Sequence, residues 1–250
     1  MIYFIGAGPG ASDLITVRGA RLLSEADVII YAGSLVNPEL LEYAKDGSEV
    51  YNSASMTLEE VTSLMISAEH MEKKTVRLHT GDPSIYGAIR EQMDCLDKEG
   101  ISYEVVPGVS SFLGAAAALK AEFTLPGVSQ TLILTRMEGR TEVPEKEAIH
   151  KLARHQASMA VFLSASMLEK LSEELMRGGY SGQTPAAIIY KATWADEKII
   201  QTTVENLAKA AHEADIKKTA LIFVGDFLNS DFERSKLYDP SFSHMYREKK

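Results

Sequence analysis

Four stretches in the first half of the chain combine small residues with proline, serine and one acid in a way suited to ligand chemistry. They are Gly6-Ala7-Gly8-Pro9-Gly10-Ala11, Tyr31-Ala32-Gly33-Ser34-Leu35-Val36-Asn37-Pro38, Thr80-Gly81-Asp82-Pro83-Ser84-Ile85-Tyr86-Gly87 and Val106-Pro107-Gly108-Val109-Ser110-Ser111. Glycine in such loops lets the backbone approach a bound molecule closely and take up positive φ at little steric cost. The first stretch satisfies the permissive dinucleotide fingerprint Gly-x-Gly-x-x-Ala, a pattern that cradles pyrophosphate at a helix N-terminus. Two features oppose that chemistry. The strand that should end on a ribose-binding acid ends Tyr31-Ala32-Gly33, with Asp27 at its wrong end, and Pro9 has no N–H to offer a phosphate. A P-loop is excluded because no Gly-Lys-Ser/Thr follows, and Gly108-Val109-Ser110-Ser111-Phe112 lacks the second glycine of a nucleophile elbow. His70, His79, His150, His155, His212 and His244 show no metal-ligand spacing, so no protein-bound metal is expected, and only His79, beside the third stretch, stays a candidate.

Each stretch leaves a predicted strand: residues 2–5, 27–31, 75–79 and 103–106. Helices are predicted between them. One opens at Ser12-Asp13 and uses Leu14, Ile15, Leu22 and Leu23 as an apolar face; one starts with the capping-box spacing of Thr57 and Glu60; one runs through Met93 and Leu96. Strands alternating with helices predict a parallel sheet, whose carboxyl ends gather on one edge, so the four loops converge on one ligand. An alanine-rich connecting helix over 112–121 is broken by Thr124-Leu125-Pro126-Gly127, which sets the expected domain boundary: 1–122 and 123–250. The second part reads as another α/β unit with no detectable repeat of the first. Its strands are predicted at 131–134, 159–163, 186–190 and 219–224, a hairpin partner at 198–201, and helices at 145–155, 167–176 and 204–214. The tail, with Phe232, Tyr238, Phe242 and Tyr246 in near-regular series, reads as a segment that packs on its own domain or on a partner subunit.

The chain has 250 residues, 45% hydrophobic and 24% charged, ordinary values for a globular protein able to bury real cores. A net charge of −9 argues against nucleic acid as a partner, since phosphate affinity is built from clustered Lys and Arg. The single cysteine, Cys95, excludes an internal disulfide framework and a Cys cluster for zinc. No apolar run reaches membrane-spanning length and the N-terminal residues lack the regions of a signal peptide, so a cytoplasmic protein without membrane contact is expected.

Together the four loops resemble those of the S-adenosylmethionine-dependent tetrapyrrole methyltransferases of cobalamin and siroheme synthesis, and the likeness spans nearly the whole chain. Within that family, Tyr31-Ala32-Gly33-Ser34-Leu35-Val36 and the tail from Asp231-Phe232-Glu233-Arg234-Ser235 to Leu237-Tyr238-Asp239-Pro240-Ser241-Phe242 resemble the branch that methylates precorrin-4 or cobalt-precorrin-4 at C-11. The resemblance implies two α/β domains enclosing a cofactor and substrate cleft, S-adenosylmethionine as methyl donor, a homodimer, and a place in corrin and porphyrin biosynthesis. It carries Pro9, Gly81, Asp82, Ile85, Ser110 and Ser111 over as cofactor contacts, with Ser164 and Ala192 on the adenosine side, where the siroheme branch commonly has methionine and glycine.

Gly8, Gly10, Gly33 and Ser34 fall where the backbone would approach the tetrapyrrole. Its carboxylates need cations, for which Arg18, Arg90, Arg136 and Arg140 are the candidates. Asp82 and Tyr86 are the candidate catalytic side chains, each with a second reading. Asp82 either orients the cofactor's ammonium group or caps the following helix, and Tyr86 faces either substrate or core. Methyl transfer from a sulfonium needs proximity and orientation rather than a nucleophilic side chain, so a missing triad is consistent with it. The alternative readings are another regiochemistry, on uroporphyrinogen III or a different precorrin position, and a non-catalytic tetrapyrrole-binding protein.

Overall fold

The computed structural model describes residues 1–228, 231–235, 241–243, 245, 247 and 248. The chain is mixed α/β with two five-stranded sheets and divides into two compact units. The first comprises Met1–Ala115 with Lys191–Glu197, the second Ala116–Tyr190 with the chain from Lys198 on. The division falls inside a helix, upstream of the expected 122/123 boundary, and 191–197 groups with the first unit although it joins two strands of the second.

In chain order the first unit contains β1 (Ile2–Gly6), α1 (Val17–Ser24), β2 (Val28–Tyr31), β3 (Glu49–Asn52), α2 (Leu58–His70), β4 (Thr75–His79), α3 (Ile89–Lys98) and β5 (Tyr103–Val106), and α4 (Ser111–Leu119) leads out of it. The sheet order is β3-β2-β4-β1-β5 and every pairing is parallel. Both faces are covered. Ile5, Ile29 and Leu78 pack with Leu22 and Leu23 of α1, while Phe4, Val28 and Ile30 pack with Met65 of α2 and Leu96 of α3. That double burial is why Val28-Ile29-Ile30 reads as a continuous apolar run. The capping box holds: Glu60 N–H donates to Thr57 Oγ1 at 3.2 Å, and Thr57 N–H to Glu60 Oε2 at 2.7 Å.

Two sequence expectations differ here. The first helix starts at Val17, where Thr16 Oγ1 accepts from Gly19 N–H; Ser12–Leu14 makes only a 3-10 turn, after which Ile15 and Thr16 are extended and Leu14 is exposed. Strand β3 was not foreseen. It is an edge strand with a mostly exposed Glu-Val-Tyr-Asn sequence, so burial leaves no apolar signature on it.

The second unit contains β6 (Leu132–Arg136), α5 (Ile149–Leu152), β7 (Ser158–Phe162), α6 (Leu168–Arg177), β8 (Pro185–Tyr190), β9 (Lys198–Thr203), α7 (Leu207–Glu213) and β10 (Ala220–Val224). The order is β6-β7-β10-β8-β9, with only β6 and β7 parallel. Met159, Val161, Ile188, Ile222 and Val224 build one core with Leu171, Leu175 and Leu207, and the rings of Phe123, Phe223 and Phe227 cluster at 5.0–6.2 Å. The helix expected over 145–155 breaks into 3-10 turns flanking the short α5. Only Ile149 and Ala153 are buried along it, too few apolar positions to hold one long helix. In the tail, Phe232 and Phe242 are exposed, whereas Tyr238, Tyr246, His244 and the Leu237-Tyr238-Asp239-Pro240 stretch lie outside the described residues.

Candidate functional site

The parallel sheet delivers the exits of β1, β2, β4 and β5 to one edge, and the first loop is the hub to which the others are tied. Ala7 N–H donates to His79 O at 2.7 Å; Gly8 and Gly81 exchange backbone hydrogen bonds, at 3.3 Å onto Gly81 O and 2.8 Å onto Gly8 O. The second exit contributes Asn37, whose Nδ2 donates to Gly10 O at 3.0 Å. The β1 and β5 exits touch as bare backbone: a Cβ on Gly6 would lie 2.5 Å from Gly108 Cα. On α4, a Cβ on Gly114 would lie 2.6 Å from Pro9 Cβ, so the helix packs directly on the proline.

The segment 191–197 closes the remaining side. Ala11 N–H donates to Thr193 Oγ1 at 3.0 Å and the Trp194 indole N–H to Pro9 O at 3.2 Å. Asn37, Thr193 and Trp194 were missed in the sequence. The available signals were an Asn before a Pro at a strand exit, and the chain's one tryptophan directly after the small pair Ala192-Thr193.

Asp82 joins the third and fourth loops. Its Oδ2 accepts from Gly108 N–H at 2.9 Å, and its Oδ1 accepts from Ser84 N–H at 2.9 Å and from Ser84 Oγ. It does not cap the following helix: α3 begins at Ile89 with Ala88 as N-cap, because residues 83–86 form a turn first. Partial burial works to raise the Asp82 carboxyl pKa, but hydrogen bonds from Ser84 Oγ, Gly108 N–H and Ser84 N–H outweigh it and hold the group below its ordinary value. Tyr86 is exposed rather than in the core and sits at φ +54°, with Ala88 at +49°, a strained pair in one loop.

Beneath that loop, β4 turns a polar face toward α3. Arg77 Nε donates to Gln92 Oε1 at 3.2 Å and its Nη1 to Ile30 O at 3.3 Å, while Gln92 Nε2 donates to Ala88 O at 3.0 Å. His79 lies against the Phe4 ring with Nε2 buried and without a hydrogen-bond partner. Burial lowers the Arg77 pKa to about 10; burial, aided by the Arg77 charge, pushes His79 down to about 3, so its imidazole is neutral at physiological pH.

Gly8, Pro9, Gly10, Gly81 and Ser110 are buried, Ile85, Ser111 and Gly33 partly buried and Ser34 exposed, all in these exit loops; Ala192 is buried within 191–197. Ser164 belongs to the second unit, where its hydroxyl donates to Phe162 O at 2.7 Å and accepts from Met137 N–H at 2.9 Å. Three of the four arginines are spoken for. Arg18 pairs with Glu104; Arg90 pairs with Asp94 and, at 3.4 Å, with Asp97; Arg136 donates to the carbonyls of Met137, Thr141 and Glu142, at 3.2, 3.2 and 2.7 Å. Arg140 is exposed. Among the described residues no group of three or more His, Cys, Asp or Glu could hold a metal ion, and no helix is long and apolar enough to cross a membrane.

Residues 1–208 match the family model of the Tetrapyrrole (Corrin/Porphyrin) Methylases. The chain is 56% identical over 247 residues, 98% of its length and 95% of the relative's, to a cobalt-precorrin-4 C(11)-methyltransferase of Methanocaldococcus jannaschii. Among solved structures it resembles the X-ray structure of a cobalt precorrin-4 methyltransferase, a cobalamin biosynthetic enzyme, with TM-score 0.89 and 49% identity over 92% of this chain and 96% of that one. It also resembles a uroporphyrin-III C-methyltransferase from Thermus thermophilus complexed with S-adenyl homocysteine, with TM-score 0.77 and 26% identity over 91% and 93% of the two chains.

Proposed function

Because this chain belongs to the tetrapyrrole (corrin/porphyrin) methylase family, we propose that it transfers a methyl group from S-adenosylmethionine to C-11 of cobalt-precorrin-4 or its metal-free counterpart. The observation that carries the regiochemistry is the near full-length identity to a relative named for that position.

The residues present suit the methyl donor. The exits of β1 and β4 are tied by backbone hydrogen bonds between Gly8 and Gly81, and the nine-residue α4 starts beside them at Ser111, with a positive end that favours a carboxylate. When bound, the donor would supply an already activated methyl group to an electron-rich ring carbon, with a neutral thioether as leaving group and a proton lost from the ring. The protein's part is therefore to orient and to exclude water. On this reading Pro9, Gly81, Asp82, Ile85, Ser110, Ser111 and Ala192 border the donor. Asp82 acts by holding the Gly81 and Gly108 loops in register, while the exposed Tyr86 faces the tetrapyrrole. Gly33, Ser34 and the arginines meet its periphery. The same reading takes the protein as a cytoplasmic homodimer, which sedimentation of the purified chain tests.

The deciding experiment incubates the protein with the tetrapyrrole and methyl-labelled donor, then locates the label by NMR. Stoichiometric S-adenosylhomocysteine with the label at C-11 is expected. No S-adenosylhomocysteine would remove the enzymatic reading, and a label at another carbon would remove the regiochemistry.

A further inference from the structure

Residues 191–197 fold as a clasp that grips the first glycine loop, and the geometry points to Trp194 as a positioning residue for methyl-donor binding. The inference rests on the reading of that loop as a wall of the donor site. The clasp is closed on itself: Trp194 N–H donates to Lys191 O at 3.0 Å, Glu197 N–H to Trp194 O at 3.1 Å, and Thr193 N–H to Glu197 Oε2 at 2.6 Å. Lys191 Nζ lies 5.2 Å from the centre of the Trp194 ring and 2.6 Å from Asp196 Oδ2. From this closed unit two side chains reach the loop, the Trp194 indole to Pro9 O and the Thr193 hydroxyl to Ala11 N–H, on either side of Gly10. Gly10 is where the fit is closest, since a Cβ there would lie 2.5 Å from Trp194 Nε1 and 2.8 Å from Ala192 O.

Two features separate this arrangement from ordinary packing. Lys191 and Thr193 both hold positive φ, +46° and +69°. For a β-branched residue that is a strained conformation, of the kind that persists only where the surroundings over-determine it, and here both the N–H and the hydroxyl of Thr193 are engaged. Second, Pro9 has a fixed φ and no N–H, so its carbonyl is the one backbone hydrogen-bonding group it offers, and the indole takes it. Transfer between sulfur and carbon is sensitive to orientation; a misplacement of about 1 Å costs on the order of a hundredfold in rate. A rigid, aromatic donor on Pro9 O is suited to preventing it.

Because Trp194 is the only tryptophan, the protein's tryptophan emission reports on the clasp alone. The experiment titrates the full chain with S-adenosylhomocysteine, following tryptophan emission and, in parallel, calorimetry, and repeats the calorimetry and steady-state kinetics on Trp194→Phe, Thr193→Val and Thr193→Ser. Expected are an emission change that saturates with the calorimetric curve, about tenfold weaker binding and higher KM for the methyl donor in Trp194→Phe and Thr193→Val, a KM for the tetrapyrrole within about twofold, and recovery in Thr193→Ser. Binding to Trp194→Phe and Thr193→Val as tight as wild type overturns the clasp alone. Failure of the wild-type protein to bind S-adenosylhomocysteine overturns the donor-site reading and the clasp with it.

Discussion

The two sheets have five strands each, yet only the first brings every strand exit to one edge. In the first, every strand runs the same way, so the exits of β1, β2, β4 and β5 share an edge and are stitched backbone to backbone at Gly6, Gly8, Gly81 and Gly108. In the second, β10 runs against both its neighbours and β9 against β8, so the exits of β6, β7 and β8 share one edge and those of β9 and β10 lie at the other. The central strands differ too. β10 is Leu221-Ile222-Phe223-Val224 after Ala220, whereas β4 buries Thr75, Arg77 and His79 on one face. The first sheet thus carries a buried arginine and histidine on its central strand and bare backbone contacts between its exits, whereas the central strand of the second is apolar. Sites are where such local inconsistency is expected.

The largest effect should come from that polar face. His79 has an ordinary pKa of 6.5 and a folded value of about 3, so the unfolded chain binds a proton that the folded one refuses. Its contribution is fully present above pH 6.5 and is lost as pH falls toward 3, with a total of about 5 kcal/mol at about 1.4 kcal/mol for each pH step. Urea unfolding at several pH values between 7.5 and 4 should show wild-type stability falling more steeply than that of His79→Gln. Parallel profiles would show that another group carries the acid sensitivity.

Next is a matched pair of strand exits. Gly108→Ala, in the first sheet, drives a Cβ to 2.7 Å from Gly6 Cα, and backbone cannot swing aside, so a loss of about 3 kcal/mol is expected with loss of S-adenosylhomocysteine binding. Gly139→Ala, past β6 in the second sheet, meets Met167 Cε at an ordinary 3.5 Å and should stay within about 0.5 kcal/mol. Equal melting temperatures for the two variants would erase the distinction between the sheets. Somewhat smaller, at about 2 kcal/mol, is Gln92→Leu, which removes an acceptor from the buried Arg77 and the donor to Ala88 O; denaturant midpoints measure it, and no change would mean that Arg77 finds another partner.

Much of the first sheet was legible because it obeys simple rules: doubly buried strands read as apolar runs, and parallel strands end in loops that repeat the same small residues. The family, too, was legible in those loops. What escaped notice was set by distance along the chain. Trp194 acts on Pro9, Thr193 on Ala11 and Asn37 on Gly10, and no local pattern records a partner so remote. Of the two readings open for Asp82, the helix cap fails because the turn over 83–86 spends the spacing after Pro83 before α3 begins. β3 escaped because an exposed edge strand has no apolar face to show.

The smallest expected effect concerns the charged side chains proposed to meet the tetrapyrrole. Arg18 and Arg90 lie on helices of the first unit and are already shared with Glu104 and with Asp94 and Asp97; Arg136, in the second, spends its guanidinium on three carbonyls of its own loop. A substrate carboxylate arriving at any of them displaces an existing partner as it gains a new one, and exposed ion pairs are weak and screened by salt. Arg18→Ala, Arg90→Ala and Arg136→Ala should therefore raise the KM for the tetrapyrrole no more than about threefold each, with the methyl-donor KM unchanged. A rise beyond tenfold in one of them that fades in high salt would place a substrate carboxylate on that arginine. Recognition would then be divided between the backbone of the parallel sheet's exits and a charge outside them, and the contrast between the two sheets would hold for the methyl donor only.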